Sequence, residues 1–288
     1  MEKRLRIAVQ SKGRLYDETM ALFAEAGIKL TAVKRTLLVP SRNFPVEFLF
    51  LRDDDIPGTV ADGTADLGIV GLNEVLEKGS AVDVVKELGF SRCRLSLAIP
   101  QHIEYNGLQW FNGRRIATSY PVILRKFLNE NGIRADIHVI SGSVEIAPGI
   151  GLADAIFDIV SSGSTLVSNN LEEVHSVVES QAVLIKGAGV TLSDDKAAIL
   201  DELLFRFEAV KAAEGRKYIL MNVPRQKLDE VLAILPGMKS PTVLPLANAD
   251  WCSVHSVLDE KMFWQIVSRL KSAGAEGILA LDIEKMIL

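Results

Sequence analysis

The sequence predicts an α/β protein made of two similar lobes joined by two connections, followed by a small ferredoxin-like β-α-β-β-α-β domain. Three observations predict it. First, Arg6 to Ile28 (RIAVQSKGRLYDETMALFAEAGI) and Arg115 to Ile133 (RIATSYPVILRKFLNENGI) both read as a strand opening on Arg-Ile-Ala, a polar turn, an amphipathic helix and a Gly-Ile stop. Second, each is followed in the same order by a short segment and a buried strand: PGTVADG then ADLGIVG in the first half, APGIG then ADAIFDIVSSG in the second. Chance could yield one such match, but two in the same order argue for two lobes of one design. Third, from Lys217 the pattern becomes KYILMNV, RQKLDEVLAIL, PTVLPLA, WCSVHSVL, EKMFWQIVSRLKSAG and GILALDI, which reads strand, helix, strand, strand, helix, strand.

In chain order, Leu5 to Gln10 is a strand, SKGR a turn and Leu15 to Ala26 a helix ended by Gly27. Asp17 and Glu18 fall in its first turn, where carboxylates suit the helix dipole, and read as structural. Two strands follow at TAVKRTLLVP and VEFLFLR. Asp53, Asp54 and Asp55 precede a short helix, IPGTVADG. Three carboxylates could hold a metal; a cap at Asp55 with a solvated charge run is the preferred reading. Ala65 to Gly71 is the next buried strand, and Cys93 to Pro100 (CRLSLAIP) a strand crossing between lobes. A second crossing is expected after Gln181 to Lys186, with Ser193 to Glu214 a long helix returning to the first lobe. The expected domains are residues 1–93 for lobe I, completed by 188–214, residues 94–187 for lobe II, and residues 217–288 for the C-terminal domain.

At 288 residues the chain has room for about two domains of ~150 residues and a small third. A net charge of −5 disfavours a general nucleic-acid partner, so anionic ligands would need a local basic pocket. Cys93 and Cys252 give neither metal spacing nor a disulfide framework, and His102, His138, His175 and His255 are scattered without ligand spacing. The start, MEKRLRIAVQ, has no apolar run after its charges, and no stretch approaches the ~20 apolar residues of a membrane span. A cytoplasmic protein with no membrane partner is expected.

The chemistry is placed in Glu145 to Leu166, EIAPGIGLADAIFDIVSSGSTL. Ala153 to Val160 reads as a buried strand, and the loop after it, Ser161, Ser162, Gly163, Ser164 and Thr165, supplies hydroxyls, a glycine and several amide N–H groups. If LVSNNLEEV starts a helix, the loop sits at a positive helix end that favours a phosphate. Asp158, just before the loop, can accept hydrogen bonds from two sugar hydroxyls, which together points to a phosphorylated ribose. Standing alone, SSGST reads more readily as a solvated turn and Asp158 as a capping residue. In open parallel sheets ligands sit beyond the carboxyl ends of strands, so the SKGR, VGLN, SYPV and SSGST loops should gather in one cleft. The absence of a GxxxxGK[ST] loop counts against a kinase or ATPase. A solute-binding module fits the clamshell pattern as well as an enzyme does.

LRIAVQSKGRL, DGTADLGIVG, CRLSLAIP and above all EIAPGIGLADAIFDIVSSGSTL resemble ATP phosphoribosyltransferase, the first enzyme of histidine biosynthesis, in its long form. The resemblance runs to SPTVLPLANADW and GAEGILALDIEKM at the C-terminus. It implies a two-lobed, periplasmic-binding-protein-like (type II) catalytic core with a C-terminal regulatory domain. Phe157 precedes a single Asp158, whereas the commoner phosphoribosyltransferase fold carries two adjacent acids there. The implied reaction is attack by adenine N1 of ATP on C1 of phosphoribosyl pyrophosphate, with Mg²⁺ as cofactor. Asp158 and the loop would hold the sugar phosphate, Asp154 either adding a second sugar contact or capping the strand. Lys12, Arg14 and Arg94 would supply cations to nucleotide and pyrophosphate, with Gly71 and Cys93 beside them at the cleft. Glu145 is either a proton acceptor for the adenine amine or a helix-start carboxylate. The resemblance further implies histidine as inhibitor, at Asn222, Thr242, Val257 and Gly277, and a homo-oligomer shifting between dimer and hexamer.

Overall fold

The computed structural model describes residues 4–30, 36–235 and 240–288. The chain divides into two compact units, residues 1–24 with 28–200 and residues 25–27 with 201–288. Residues 201–214, expected to complete lobe I, therefore group with the C-terminal unit.

The first unit holds two sheets. In lobe I, β1 (Leu5–Gln10) leads into α1 (Arg14–Glu25), β2 (Leu38–Pro40) and β3 (Val46–Leu51). The expected strand TAVKRTLLVP is seen only in its last residues, since 31–35 lie outside the described residues. Asp53–Asp55 form a 3₁₀ turn before α2 (Ile56–Ala61), and Asp55, expected to cap that helix, makes no side-chain cap bond. Next come β4 (Leu67–Gly71), α3 (Leu72–Lys78) and β5 (Val82–Glu87). Lobe II contains β6 (Cys93–Pro100), β7 (Arg115–Thr118), α4 (Pro121–Glu130), β8 (Asp136–Val139), β9 (Ala155–Val160), α5 (Ser164–Ser168) and β10 (Leu171–Ser180). The chain then returns as β11 (Ala182–Gly187) and α6 (Asp194–Ala213).

Strand order runs β2-β3-β1-β4-β11-β5 in lobe I and β8-β7-β9-β6-β10 in lobe II. Set against each other, β3-β1-β4-β11-β5 and β8-β7-β9-β6-β10 are one pattern. The first three strands of each are parallel. The fourth runs antiparallel and arrives directly from the other lobe. This is the type II periplasmic-binding-protein-like arrangement. It corrects the second crossing: QAVLIK is already back in lobe I, because β11 fills the antiparallel slot between β4 and β5, and the connection lies at Gln181. The duplication extends to side chains. Asp66 accepts the Arg6 N–H at 2.8 Å and Asp154 the Arg115 N–H at 2.9 Å, each clasping the first strand of its lobe.

LVSNNLEEV does not make a helix beyond α5, whose five residues end at Ser168, two residues before Asn170 takes left-handed backbone. LEEVHSVVES continues as β10, its β-branched residues pairing antiparallel with β6. Burial is complete through Ala155, Ile156 and Phe157 on β9, Ile156 and Phe157 entering different cores on the two sides of the sheet, and lapses at Asp158. The core thus anchors the strand on both sides of the acid, with Val160 buried again beyond the exposed Ile159.

In the C-terminal unit, β12 (Arg216–Pro224), α7 (Leu228–Ile234), β13 (Thr242–Pro245), β14 (Trp251–Asp259), α8 (Glu260–Ser272) and β15 (Glu276–Asp282) form the β-α-β-β-α-β chain. Its order, β13-β14-β12-β15, with antiparallel pairing throughout, is the ferredoxin-like one. Ile219, Met221, Val223, Cys252, Val254 and Leu258 pack beneath the helices with Phe263, Ile266 and Leu270. No helix among the described residues is long and apolar enough to cross a membrane.

Candidate active site

Two cross-lobe contacts bring the strand ends together in pairs. Arg14 of lobe I donates through Nη1 to Ser161 Oγ of lobe II at 2.9 Å, joining the SKGR and SSGST loops. Asn73 Nδ2 reaches the Tyr120 hydroxyl at 3.3 Å, joining the VGLN and SYPV loops. The four loops therefore meet across the lobes in two pairs, SKGR with SSGST and VGLN with SYPV.

The β9 end gathers hydroxyls, a glycine and two arginines. Gly163 takes φ +80°, a conformation that L side chains rarely adopt, and α5 starts at the next residue. Ser162 and Ser164 share a hydroxyl contact at 2.9 Å, and the hydroxyl residues Ser161, Ser162, Ser164 and Thr165 are all exposed. Arg94, on β6, donates to the Ser161 carbonyl at 3.3 Å while its guanidinium forks onto Glu173 of β10. Ser96 also donates to Glu173, at 2.8 Å, and the guanidinium holds that carboxyl below its ordinary range. Arg14 is steadied by Glu18 at 3.3 Å, and Glu18 also takes the hydroxyl of Ser91 in the connection between lobes. Glu18 therefore does more than complement a dipole. Lys12 is exposed on the same loop, one residue before Gly13.

Asp158 is partly buried, and Ile159 N–H donates to its Oδ1 at 2.8 Å. Burial pushes its carboxyl up to about 6; the Ile159 bond opposes this, and the Glu145 charge adds to it. Glu145, on the 3₁₀ turn Val144–Ile146, is thus within electrostatic reach of Asp158. Asp154 is not. It precedes the strand, four residues or about 13 Å from Asp158 along β9, and its carboxylate is held by Arg115 at 2.8 Å and by the β7 backbone. Alternation puts both acids on one face but at opposite ends, so Asp154 is the strand clasp and not a sugar contact. Gly71 closes β4, where a Cβ would collide with the Asn73 side chain folded over it. Cys93 is half-buried, its thiol pushed up by burial and drawn back by Ser180 and Arg14.

Glu173, Glu74 and Tyr120 escape sequence reading. Glu173 meets Arg94 only through the β6–β10 register, which carries two irregularities, and nothing local announces it. Tyr120 had a signal, since SYPV is one of the four strand-end loops. Among the described residues no group of three or more His, Cys, Asp or Glu side chains is arranged to hold a metal ion.

The profile of the family described as ATP phosphoribosyltransferase matches residues 52–209, and that of "HisG, C-terminal domain" matches residues 213–285. An ATP phosphoribosyltransferase of Bacteroides thetaiotaomicron is 66% identical over 284 residues, covering 99% of this chain and 100% of the relative. The chain belongs to the ATP phosphoribosyltransferase family. Another member, from Parabacteroides distasonis, is 68% identical over the same share of both chains. Among solved structures, the ATP phosphoribosyl transferase (HisG:HisZ) complex from Thermotoga maritima superposes with a TM-score of 0.61 at 26% identity, over 71% of this chain and 98% of that one.

In the part matching the family's C-terminal domain, Asn222 and Val257 alternate with the buried positions of their strands, and Thr242, on the exposed strand β13, pairs with His255, so the three share the sheet face that carries no helix. Gly277, at φ +58°, sits in an irregularity of β15 where a Cβ would lie 3.5 Å from Asn222 Nδ2. Tyr218, Leu244, Leu279 and Leu281 stand partly exposed on the same face.

Proposed function

We propose that the chain transfers phosphoribosyl from phosphoribosyl pyrophosphate to N1 of ATP, giving phosphoribosyl-ATP and pyrophosphate, in the first step of histidine biosynthesis. Family membership supports the reaction. The observation that supports its placement is the meeting of Asp158, the hydroxyl loop and two arginines at the carboxyl end of β9. The N1 lone pair forms the new bond to C1 as the C1–O bond breaks, and pyrophosphate leaves with the electron pair. Asp158 takes the ribose hydroxyls, and residues 161–165 take the 5′-phosphate at the start of α5. Arg14, Arg94 and Lys12 take the charge that develops on the leaving pyrophosphate. N1 carries no proton, so no base is needed before attack; afterwards the exocyclic amine is more acidic, and Glu145, beside Asp158, is placed to accept its proton.

Mg²⁺ is read here as part of the substrates, the counter-ion of two polyanions, since the described residues build no cluster of their own for it. Histidine is read as an inhibitor binding the helix-free face around Asn222, Thr242, Val257 and Gly277, and the apolar side chains on that face as contacts to further copies of the chain in dimers and hexamers. Incubation with ATP, Mg²⁺ and phosphoribosyl pyrophosphate, followed by pyrophosphate release, tests the reaction. A solute-binding module would release none. For histidine, removing residues 217–288 or mutating Thr242 should leave an active enzyme that histidine no longer inhibits. Undiminished inhibition of either variant moves the regulatory site elsewhere.

A further inference from the structure

The first turn of α4 in lobe II is held by α3 of lobe I. Glu77 accepts the Val122 N–H at 2.9 and 3.1 Å and the Ile123 N–H at 3.0 Å. Its carboxylate therefore sits on donors that have no partner within their own helix, at the positive end of ten residues. One turn earlier on α3, Glu74 is only 8% exposed and hydrogen-bonds to the Tyr120 phenol. Asn73 Nδ2 touches both, reaching Glu74 Oε1 at 3.1 Å and the Tyr120 hydroxyl at 3.3 Å. Asn73 is itself fixed by Ser180, whose Oγ donates to Oδ1 at 2.8 Å and accepts the backbone N–H at 3.0 Å.

Two features set this cluster apart from ordinary packing. Glu74 is buried beside the negative charge of Asp53, and both effects push its carboxyl up. A hydrocarbon side chain there would avoid that cost. The Tyr120 phenol, which Glu74 holds, also feels the charge of Asp158. The hydrogen-bonded cluster thus crosses from lobe I to Tyr120 of lobe II, within electrostatic reach of Asp158.

We propose that Glu74 and Glu77 are positioning residues for the transfer reaction: from lobe I they fix Tyr120 and the first turn of α4, so that the phenol stands beside Asp158 and completes the sugar pocket. The inference rests on the reading of Asp158 as the ribose-binding carboxylate. Neither glutamate touches substrate. Both act through Tyr120 and the turn that carries it.

The test is a double-mutant cycle on the full chain, with kcat, KM for each substrate and Tm measured for every variant. Glu74→Ala and Tyr120→Phe should each lower kcat by about tenfold, with KM for phosphoribosyl pyrophosphate moving less than about threefold, because Asp158 and the loop stay on β9. The double variant should lie within about twofold of the worse single one, since both remove the same contact. Glu74→Gln keeps an acceptor for the phenol and should recover most of the loss. Glu77→Ala, which frees the α4 turn without touching Tyr120, should show the same fall in kcat. Multiplicative losses in the double variant overturn the proposal, as does Glu74→Gln no better than Glu74→Ala, or kcat unchanged in variants whose Tm shows them folded. The Asp158 reading fails separately: Asp158→Asn would bind phosphoribosyl pyrophosphate as tightly as the parent, overturning the sugar-pocket half of the proposal even with the Glu74–Tyr120 coupling intact.

Discussion

Lobe I and lobe II are two copies of one topology, and their third strands end in opposite ways. The Arg6–Asp66 and Arg115–Asp154 clasps align β4 with β9 residue by residue, so Val70 is the counterpart of Asp158. Val70 is fully buried, and the turn after it is sealed: Leu72 N–H goes to the Gln181 carbonyl at 2.9 Å and Asn73 N–H to Ser180 Oγ. After β9, by contrast, the hydroxyls of the loop lie exposed and two arginines converge on Ser161. The same split holds at the first strands, where Glu77 plugs α4 while SKGR offers Lys12 and Arg14. Two helix ends are plugged by protein groups across the lobes, and the two left open are the ones that the proposed function assigns to the ligands. Two of the four serve each purpose, and the cations are found at the open ones. On the proposed function, a chain of net charge −5 would meet two polyanions with the cations kept at these two ends.

If this division is right, the largest loss should come from the open side. Arg94→Ala removes the cation beside the loop and leaves Glu173, onto which its guanidinium forks, as an uncompensated negative charge, so kcat/KM should fall by about 2–5 kcal/mol. Arg94→Lys keeps the charge but loses the planar fork, and should recover only part of it. Steady-state kinetics decide; Arg94→Ala with unchanged kcat and KM would take Arg94 out of the site. Asp158→Asn should come next, weakening phosphoribosyl pyrophosphate by about 1.5–3 kcal/mol for each bond to the charged group. Calorimetric titration reads that loss directly.

The plugged side should answer in stability and not in affinity. Ser180→Ala strips the partner from the buried Asn73 N–H and Oδ1, at a cost of about 1–3 kcal/mol. Urea unfolding would show this, with KM for phosphoribosyl pyrophosphate little changed. A variant that stays stable yet binds the sugar poorly would mean that the two sides are not separate.

What was legible in the sequence follows the same line. Arg-Ile-Ala strands, Gly-Ile stops and the SSGST loop are local patterns, so the duplication, the C-terminal β-α-β-β-α-β domain and the Asp158 loop could be read from neighbouring residues. Asp154 misled because alternation fixes a face and says nothing of which end of a strand a residue occupies. LVSNNLEEV reads locally as a helix start, and its last residues are strand because their partner, β6, lies some seventy residues away. Glu173, Glu77 and Ser180 were invisible for that reason too: each meets its partner through pairing between distant segments, and a carboxylate or hydroxyl carries no mark of the helix end it will plug.

The smallest effect is also the sharpest comparison of Asp158 with Val70. Burial disfavours the charge of the Asp158 carboxyl and pushes it from its ordinary value of 3.8 up to about 6 in the folded chain. The folded form therefore binds more protons than the unfolded form between these values. Stability falls as pH rises through that window and bears the full penalty above it. Asparagine keeps an oxygen for the Ile159 N–H and carries no charge. At pH 7 Asp158→Asn should be more stable than the parent by on the order of 1–2 kcal/mol, the full shift being discounted for the partial exposure of the group. At about pH 4, where the native acid is protonated, the difference should close. Urea unfolding at the two pH values measures both. A variant that is less stable at pH 7, or equally stabilised at both, would show that the lobe II strand end carries no more strain than the valine at the same place in lobe I.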